Sequence, residues 1–330
     1  MKHRPLGSTG LTVSELGFGC GMVGGILVRG EYPAMRRVVS RAVELGINYF
    51  DSAPLYGDGQ SEVNLGAVLR ELRADALVGT KLHLGAGDLQ RVEAVVVESV
   101  DQSLRRLGRG HIDLIQLHNP LGTPGPAGWA PMTAKDLAAV TRAFQSLQGQ
   151  GKIRFWGITA LGLTEVLHQA VAAGGLHTIQ VVYNLLNPSA GRSVPPDFPF
   201  QDYRQLRARA AERAIGVIVI RVLAGGALAG TTERHPTAAP AVAPIGSGQA
   251  YEADVARART FAFLRDGGVV RSPVEAAIRF ALSRPEVSTA LVGISDLEQL
   301  EHAVESANRG PLPADALARI QDAQARFARG

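Results

Sequence analysis

One repeat of the pattern that decides the fold reads ALVGT at residues 76–80, LQRVEAVVVESVDQSLRRL at 89–107 and IDLIQL at 112–117. The first and last segments are short and mainly apolar, as expected of buried strands, and the middle segment carries apolar residues at helical spacing. A strand, a helix and a second strand in this order favour two parallel strands joined by a crossover helix.

The same alternation continues along the whole chain. Strands are predicted at residues 15–19, 48–51, 76–80, 112–117, 152–158, 178–182, 216–220 and 288–292. Helical patterns are predicted at residues 34–45, 61–72, 89–107, 134–147, 163–173, 203–214, 251–264, 273–283, 297–307 and 314–327. Because eight parallel strands close a barrel, we expect an α/β (β/α)8 TIM barrel that forms one domain over residues 1–330, preceded by a short hairpin around residues 8–10.

Helix boundaries carry their own signals in three places. Thr164 and Asp296 precede helical patterns and are predicted as N-caps, and Pro273 follows Ser272 as a first-turn proline. Long connections at residues 120–133, 188–203 and 223–249 each follow a predicted strand. We therefore expect them on the C-terminal face of the barrel, where enzymes with this architecture place their sites.

Composition excludes several classes of protein. The 330 residues are 46% hydrophobic and 19% charged with a net charge of +4, which excludes a disordered chain and allows a sizeable core. The single cysteine, Cys20, excludes a disulfide framework and fits a reducing compartment. Arginines interleave with acids and form no basic block, and no histidine or acid pairs have metal-ligand spacing, so we expect neither nucleic-acid binding nor a metal.

No segment predicts a membrane or export function. The N-terminus leads directly into a Gly/Ser/Thr turn, and the most apolar stretch, residues 214–230, contains Arg221 and several glycines. We expect a cytoplasmic protein, and the sequence does not reveal its oligomeric state.

A dinucleotide fingerprint follows the first predicted strand. Gly19, Gly21 and Gly24 match the pattern G-x-G-x-x-G, and Asp51 at the end of the next strand would supply the acid that binds ribose. In a doubly wound fold the glycines open a helix, whereas here the next helix is expected only around Pro33. The doubly wound fold therefore remains a minor alternative.

A second group of side chains is distributed over three successive strand ends. Asp51, Lys81 and His118 each lie where an apolar strand meets its loop, and Tyr56 lies five residues beyond Asp51. Parallel strands of a barrel bring such ends together at one mouth. Each residue alone is more often a cap or a structural residue, but the combination predicts an active site.

These four side chains suit the reduction of a carbonyl group. Lys81 would lower the pKa of the Tyr56 phenol, and Asp51 would hold Lys81 in its charged form. His118 would hydrogen-bond the same substrate oxygen that Tyr56 protonates.

The sequence resembles the aldo-keto reductase superfamily over essentially its whole length. The matching segments are LGSTGLTVS (6–14), DSAPLYG (51–57), GTK (79–81), IDLIQLH (112–118), GIT (157–159), QVVYN (180–184), LAGG (223–226), VGIS (292–295) and EQL (298–300).

The resemblance implies a hairpin plug at the bottom of the barrel and a catalytic tetrad of Asp51, Tyr56, Lys81 and His118, with Tyr56 as the proton donor. It also implies a nicotinamide cofactor, usually NADPH, bound across the C-terminal face. The cofactor residues implied in this way are Thr159 and Gln180 at the carboxamide, Ile220, Arg221, Val222 and Leu223 at the nicotinamide and pyrophosphate, and Gly293, Ser295 and Gln299 at the adenosine.

The chain departs from the family pattern at three positions. Ala160 replaces an asparagine that would contact the carboxamide, and Ile220 replaces an aromatic residue that would stack on the nicotinamide. Asp296 lies where a basic residue often reads a 2′-phosphate, so NADH is not excluded.

The function expected from the resemblance is the NAD(P)H-dependent reduction of small aldehydes or ketones. The alternatives are an NAD(P)+-dependent sugar (aldose) dehydrogenase and a cofactor-binding redox sensor or accessory subunit with slow turnover.

Overall fold

The computed structural model describes residues 1–126 and 128–329, and its centre is a closed barrel of eight parallel strands. In chain order the strands are β3 (Leu16–Gly19), β4 (Tyr49–Asp51), β5 (Leu77–Leu82), β6 (Ile112–Leu117), β7 (Ile153–Thr159), β8 (Thr178–Val182), β9 (Gly216–Ile220) and β10 (Val287–Gly293). Each strand pairs with the next, and β10 pairs with β3 to close the ring. The predicted (β/α)8 barrel is confirmed.

A two-stranded hairpin covers the end of the barrel where the strands begin. It consists of β1 (His3–Pro5) and β2 (Thr12–Ser14), which pair antiparallel. Leu6, Leu11 and Val13 are buried against residues inside the barrel. The turn requires glycine at position 7, where φ is 54° and a Cβ atom would lie 2.2 Å from the backbone nitrogen of Gly216.

Helices surround the barrel. They are α1 (Ile26–Arg29), α2 (Tyr32–Glu44), α3 (Gln60–Leu72), α4 (Val92–Leu107), α5 (Ala134–Gly149), α6 (Thr164–Ala173), α7 (Leu206–Glu212), α8 (Tyr251–Ala258), α9 (Phe263–Asp266), α10 (Pro273–Leu282), α11 (Leu297–Asn308) and α12 (Ala314–Ala325). Short 3-10 segments lie at Ala86–Gln90, Ala224–Ala229, Arg259–Phe261 and Arg326–Arg329. The apolar faces of helices and strands form one continuous core between the two layers.

Several helix boundaries differ from the predictions. The predicted helix 89–107 begins only at Val92, because Gly85 N–H donates to the Asp88 carboxylate and forms a separate 3-10 turn before it. The predicted helix 203–214 begins at Leu206, because Arg204 and Gln205 adopt left-handed conformations with φ of 48° and 63°. The predicted helix 251–264 is divided into α8, a 3-10 turn and α9.

The cap predictions have different outcomes. The Asp296 carboxylate accepts from Gln299 N–H, and the Ser272 hydroxyl accepts from Glu275 N–H ahead of Pro273, as expected. The prediction for Thr164 is wrong, since this residue is already helical and its hydroxyl donates to the carbonyl of Asp202 at 2.8 Å.

The strand order places the carboxyl ends of all eight strands on one face. The long connections 120–133, 188–203 and 223–249 follow β6, β8 and β9, and therefore begin on this face. Within the described residues no helix has both the length and the apolar character that are needed to cross a bilayer.

Candidate active site

The four predicted catalytic side chains meet at the carboxyl end of β4, β5 and β6. Asp51 ends β4, Lys81 is the second-last residue of β5, His118 directly follows β6, and Tyr56 lies in the loop after β4. Adjacent pairing of these strands puts the side chains next to one another. A Cβ atom at Gly21 would lie 3.2 Å from the Tyr56 ring. The loop of residues 20–25 after β3, called the glycine loop below, therefore packs closely against this tyrosine.

Asp51 and Lys81 form a buried ion pair. The Lys81 ammonium donates to Oδ2 of Asp51 and, at 2.8 Å, to the carbonyl of Ser52. Burial alone would lower the pKa of Lys81, but the neighbouring Asp51 and Tyr56 outweigh it and raise that pKa. Lys81 is therefore positively charged at neutral pH.

Tyr56 is half-buried, and the Lys81 ammonium lies 4.9 Å from the centre of its ring. Desolvation raises the pKa of Tyr56 above its usual value, Lys81 lowers it and Asp51 raises it again. The net effect is a raised pKa, which differs from the lowering expected from Lys81 alone. The phenol is consequently protonated at neutral pH and has a proton to donate.

His118 is a neutral imidazole beside Tyr56. The two rings meet edge to face with centroids 6.1 Å apart. Burial, and then the charges of Lys81 and His83, hold the pKa of His118 well below its usual value. Its Nδ1 is buried without a hydrogen-bond partner in the described part of the chain.

An aromatic wall continues from His118 into the loop after β6. The Trp129 ring lies 5.3 Å from His118 and stacks on His83 at 5.2 Å. The structure places Trp129 and His83 beside the four ionisable side chains.

Thr159 and Gln180 lie at the ends of the next two strands, and the protein already uses their donors. The Thr159 hydroxyl donates to the carbonyl of Leu117 at 3.0 Å. The Gln180 Nε2 group donates to Oδ1 of Asp51 at 2.6 Å. Gln180 thus contacts the tetrad directly, a role that the sequence did not indicate.

The four predicted cofactor positions at the end of β9 lie on the same face of the barrel as the candidate active site. Ile220 is half-buried at the end of the strand, Val222 is buried, and Leu223 precedes the 3-10 segment. Arg221 has a left-handed backbone with φ of 57°, and its guanidinium donates to the carbonyl of Ala243 at 3.2 Å. Burial lowers the pKa of Arg221 and Tyr56 opposes this, as expected for neighbouring groups.

The three predicted adenosine residues lie where β10 meets the glycine loop. A Cβ atom at Gly293 would lie 2.9 Å from Gly24 N, and the Ser295 hydroxyl donates to the Gly24 carbonyl at 2.7 Å. The Gln299 side chain accepts from Ser295 N–H at 3.1 Å. A cavity of about 270 Å³ lies beside them. Its polar lining comprises Arg29, Glu31, Arg37, His235, Thr237, Ser295 and Asp296.

The glycines of the fingerprint serve close packing in this barrel. A Cβ atom at Gly24 would lie 2.2 Å from Ile294 N. The helix α1 begins at Ile26 directly after this loop, so the expectation that no helix starts before Pro33 is wrong. It has four residues and belongs to a closed barrel, which excludes the doubly wound alternative.

Arg234 is a residue of this face that sequence reasoning missed. Its guanidinium donates to the carbonyls of Ala239, Gly225 and Val23 and to the Tyr251 hydroxyl. It therefore connects the long loop after β9 to the glycine loop after β3. An arginine in a Gly/Ala/Pro-rich loop was the one available signal in the sequence.

The donors on this face fit a nicotinamide dinucleotide. Among the described residues, Arg221 and Arg234 form no ion pair with a carboxylate, so their charges suit a diphosphate. Gln180 uses its amide nitrogen for Asp51, so its carbonyl oxygen can accept from a carboxamide.

Among the described residues, no group of three or more His, Cys, Asp or Glu side chains has the arrangement of a metal site.

The fold and the site together define a class of protein. Its members are (β/α)8 barrels with a cluster of ionisable side chains at the carboxyl ends of the strands. The family model described as "Aldo/keto reductase family" matches residues 15–325. The chain belongs to this family and is one of its oxidoreductases.

Known proteins resemble the chain over nearly their full lengths. The aldo-keto reductase AKR11C1 from Bacillus halodurans, in its holo form, is 27% identical, with a TM-score of 0.72 over 98% of this chain and 96% of that one. L-galactose dehydrogenase from Arabidopsis thaliana is 30% identical over 91% of this chain and 86% of its own. The uncharacterized oxidoreductase YqkF from Bacillus subtilis is 26% identical over 97% and 96%.

Proposed function

We propose that the protein is an NAD(P)H-dependent reductase of small aldehydes or ketones, with Tyr56 as the general acid. The observation that carries the proposal is the position of the Tyr56 ring beside both the buried Lys81–Asp51 ion pair and the His118 ring.

Each residue of the tetrad has a physical role in this proposal. Thr159, Gln180 and Ile220 would hold a reduced nicotinamide, which would supply the hydride for the carbonyl carbon when bound. Tyr56 donates its proton to the carbonyl oxygen, and the Lys81 ammonium stabilises the phenolate that remains. Asp51 keeps Lys81 charged and in place. The neutral His118 donates one hydrogen bond to the same oxygen and orients the carbonyl.

The proposed cofactor is NADPH, with NADH as the alternative. Thr159 and Gln180 would hold the nicotinamide end, and Ile220 would provide apolar packing for the ring. Arg221, Val222 and Leu223 would hold the diphosphate, and Gly293, Ser295 and Gln299 the adenosine. The cavity beside Ser295 carries two arginines and a histidine against two acids, which supports a phosphate there.

The single buried cysteine supports a reducing compartment such as the cytoplasm.

The proposal is tested by removing only the hydroxyl of Tyr56. For Tyr56→Phe we expect the turnover of small aldehydes to fall at least about 100-fold, with the dissociation constant of NADPH unchanged. The matched control is Tyr32→Phe, which removes an exposed hydroxyl that bonds Glu71 on the surface. Tyr56→Phe turning over at the rate of the control would remove Tyr56 from the mechanism.

A second candidate is the oxidation of a sugar by the same tetrad. The Trp129–His83 wall beside His118 supports it, because a tryptophan face suits the C–H face of a sugar ring. The similarity to L-galactose dehydrogenase points the same way. Assays of aldoses with NADP+ and NAD+, run beside aldehydes with NADPH and NADH, separate the two directions. Tight cofactor binding without turnover in any of them would favour a redox sensor.

A further inference from the structure

The Asp51 carboxylate accepts three hydrogen bonds. Only one of them comes from Lys81, the residue whose positive charge Asp51 stabilises. Oδ2 accepts from Lys81, whereas Oδ1 accepts from the Tyr49 hydroxyl at 3.1 Å and from Gln180 Nε2 at 2.6 Å. All of these side chains are almost fully buried. Both donors on Oδ1 are neutral, so they stabilise the negative charge of Asp51 without competing with Lys81 for it.

The Tyr49 side chain occupies space that glycines on the two neighbouring strands leave open. Tyr49 lies two residues before Asp51 on β4, so both side chains point into the barrel. On the neighbouring strands, a Cβ atom at Gly79 would lie 2.4 Å from the Tyr49 hydroxyl, and one at Gly17 would lie 3.2 Å from its ring. Burial, followed by the charge of Asp51, raises the pKa of Tyr49 well above its usual value. The hydroxyl is therefore protonated, and available as a donor, at neutral pH.

Gln180 reaches Asp51 from the opposite wall of the barrel. In the ring of eight strands, β8 lies four strands away from β4. The residue beside Asp51 on β5 is Gly79, and its missing side chain leaves the space that the Tyr49 hydroxyl occupies. The amide of Gln180 reaches Asp51 from β8 and makes the second bond to Oδ1.

We propose that Tyr49 and Gln180 are positioning residues that hold the Asp51 carboxylate with Oδ2 against Lys81, so that the ammonium stays beside Tyr56. The inference rests on the proposed function, because it assigns their effect to the proton that Tyr56 donates. Neither residue needs to touch the substrate for this role. Packing alone would need only the ring of Tyr49, whereas the role proposed here depends on its hydroxyl.

The test is Tyr49→Phe, which keeps the ring and removes the donor. With one hydrogen bond fewer on Oδ1, only Gln180 still holds that oxygen, so Asp51 and with it Lys81 are held less firmly. We expect kcat for aldehyde reduction to fall about tenfold and the dissociation constant of NADPH to change less than about twofold. We also expect the alkaline rise of alcohol oxidation to move about one pH unit upward, because the Tyr56 phenolate loses stabilisation.

The matched control is Tyr203→Phe. Tyr203 is equally buried, and its hydroxyl has no hydrogen-bond partner among the described residues. We expect its kcat and pH profile to equal those of the wild type. A Tyr49→Phe protein that behaves like Tyr203→Phe would overturn the proposal. As a second variant, Gly79→Ala leaves Tyr49 in the sequence but displaces its hydroxyl, and we expect the same loss of kcat.

A double-mutant comparison separates positioning from general damage. If Tyr49 acts through Lys81 and Tyr56, adding Tyr49→Phe to Tyr56→Phe lowers the residual rate less than about twofold. A further tenfold loss in that background would show a structural effect and overturn the proposal. A measurement without cofactor is the ultraviolet titration of tyrosinate, as the difference between each protein and its Tyr56→Phe form. We expect Tyr56 to ionise at higher pH in the Tyr49→Phe protein.

The failure of this inference is distinguishable from failure of the proposed function. If Tyr56→Phe loses turnover and Tyr49→Phe does not, the reductase proposal stands and the positioning proposal is overturned. If Tyr56→Phe keeps full turnover, the proposed function itself is wrong, and the role given to Tyr49 is overturned with it.

Discussion

Arg207 and Glu286 form an ion pair whose loss should be costly because of where it lies. Arg207 is 1% exposed, the Glu286 side chain is 31% exposed, and their charged atoms are 2.6 Å apart. The guanidinium also lies 4.7 Å from the Tyr183 ring centre, and its Nε has no hydrogen-bond acceptor among the described residues. Glu286 is therefore the carboxylate on which this buried charge depends.

The magnitude follows from what each substitution leaves behind. Glu286→Ala leaves the buried Arg207 guanidinium without its carboxylate partner. Removing one partner of a buried pair lowers the free energy of unfolding by about 3–5 kcal/mol. Water reaches the partly exposed Glu286 side, so we expect about 3 kcal/mol. The surface pair Arg36–Glu71 has a similar separation of 2.5 Å but side chains 50% and 43% exposed. Glu71→Ala should therefore cost at most about 1 kcal/mol.

The assay is the free energy of unfolding from urea denaturation at neutral pH, compared between the two variants. Burial raises the pKa of Glu286, but its backbone amide and Arg207 outweigh this and the pKa is lowered. The stabilisation by Glu286 is thus complete above its unfolded pKa of about 4.3 and is lost as the pH falls through the lower folded value. Equal losses for Glu286→Ala and Glu71→Ala would refute the reasoning that burial sets the cost.

Two further predictions concern the active-site face. For Arg221→Met we expect the dissociation constant of NADPH, measured by fluorescence titration, to rise about tenfold, or about 1.4 kcal/mol; an unchanged constant would remove Arg221 from the cofactor site. Because the pKa of His118 is lowered in the folded protein, the wild type should lose stability as the pH falls below about 6.5, where the unfolded chain takes up a proton. His118→Asn should lose less over that range, and parallel curves of melting temperature against pH would contradict this.

The fold was readable from the sequence because its signals are local and repeated. The strands 112–117, 178–182 and 216–220 were predicted with the boundaries that the structure shows, since each is a short apolar run between clear breaks. The start of α7 was not, because the left-handed backbone of Arg204 and Gln205 depends on tertiary contacts and not on their residue types. The 3-10 turn that precedes α4 was also not predicted, although the bond from Gly85 N–H to the Asp88 carboxylate that forms it is local.

The candidate site was readable only where each residue lies next to a strand end. Asp51, Lys81 and His118 could be placed together because consecutive parallel strands end on one face. The pKa of Tyr56 could not be predicted, because its direction depends on a balance between burial and Lys81 that only the packed structure defines. Trp129 could not be placed either, because a long loop does not determine from its sequence which way it folds.

The bond from Gln180 to Asp51 shows why sequence reasoning stops at this point. The two residues are 129 positions apart, and the bond requires β4 and β8 to face each other across the barrel. The other donor to Oδ1, the Tyr49 hydroxyl, requires glycines on both neighbouring strands, because a Cβ atom at Gly79 would lie 2.4 Å from that hydroxyl and one at Gly17 would lie 3.2 Å from the ring. Each glycine is visible in the sequence, but strand register in a closed barrel is set by all eight strands together. The position of the Asp51 carboxylate is thus a property of the whole ring, and in this chain it depends on glycines that contribute only space.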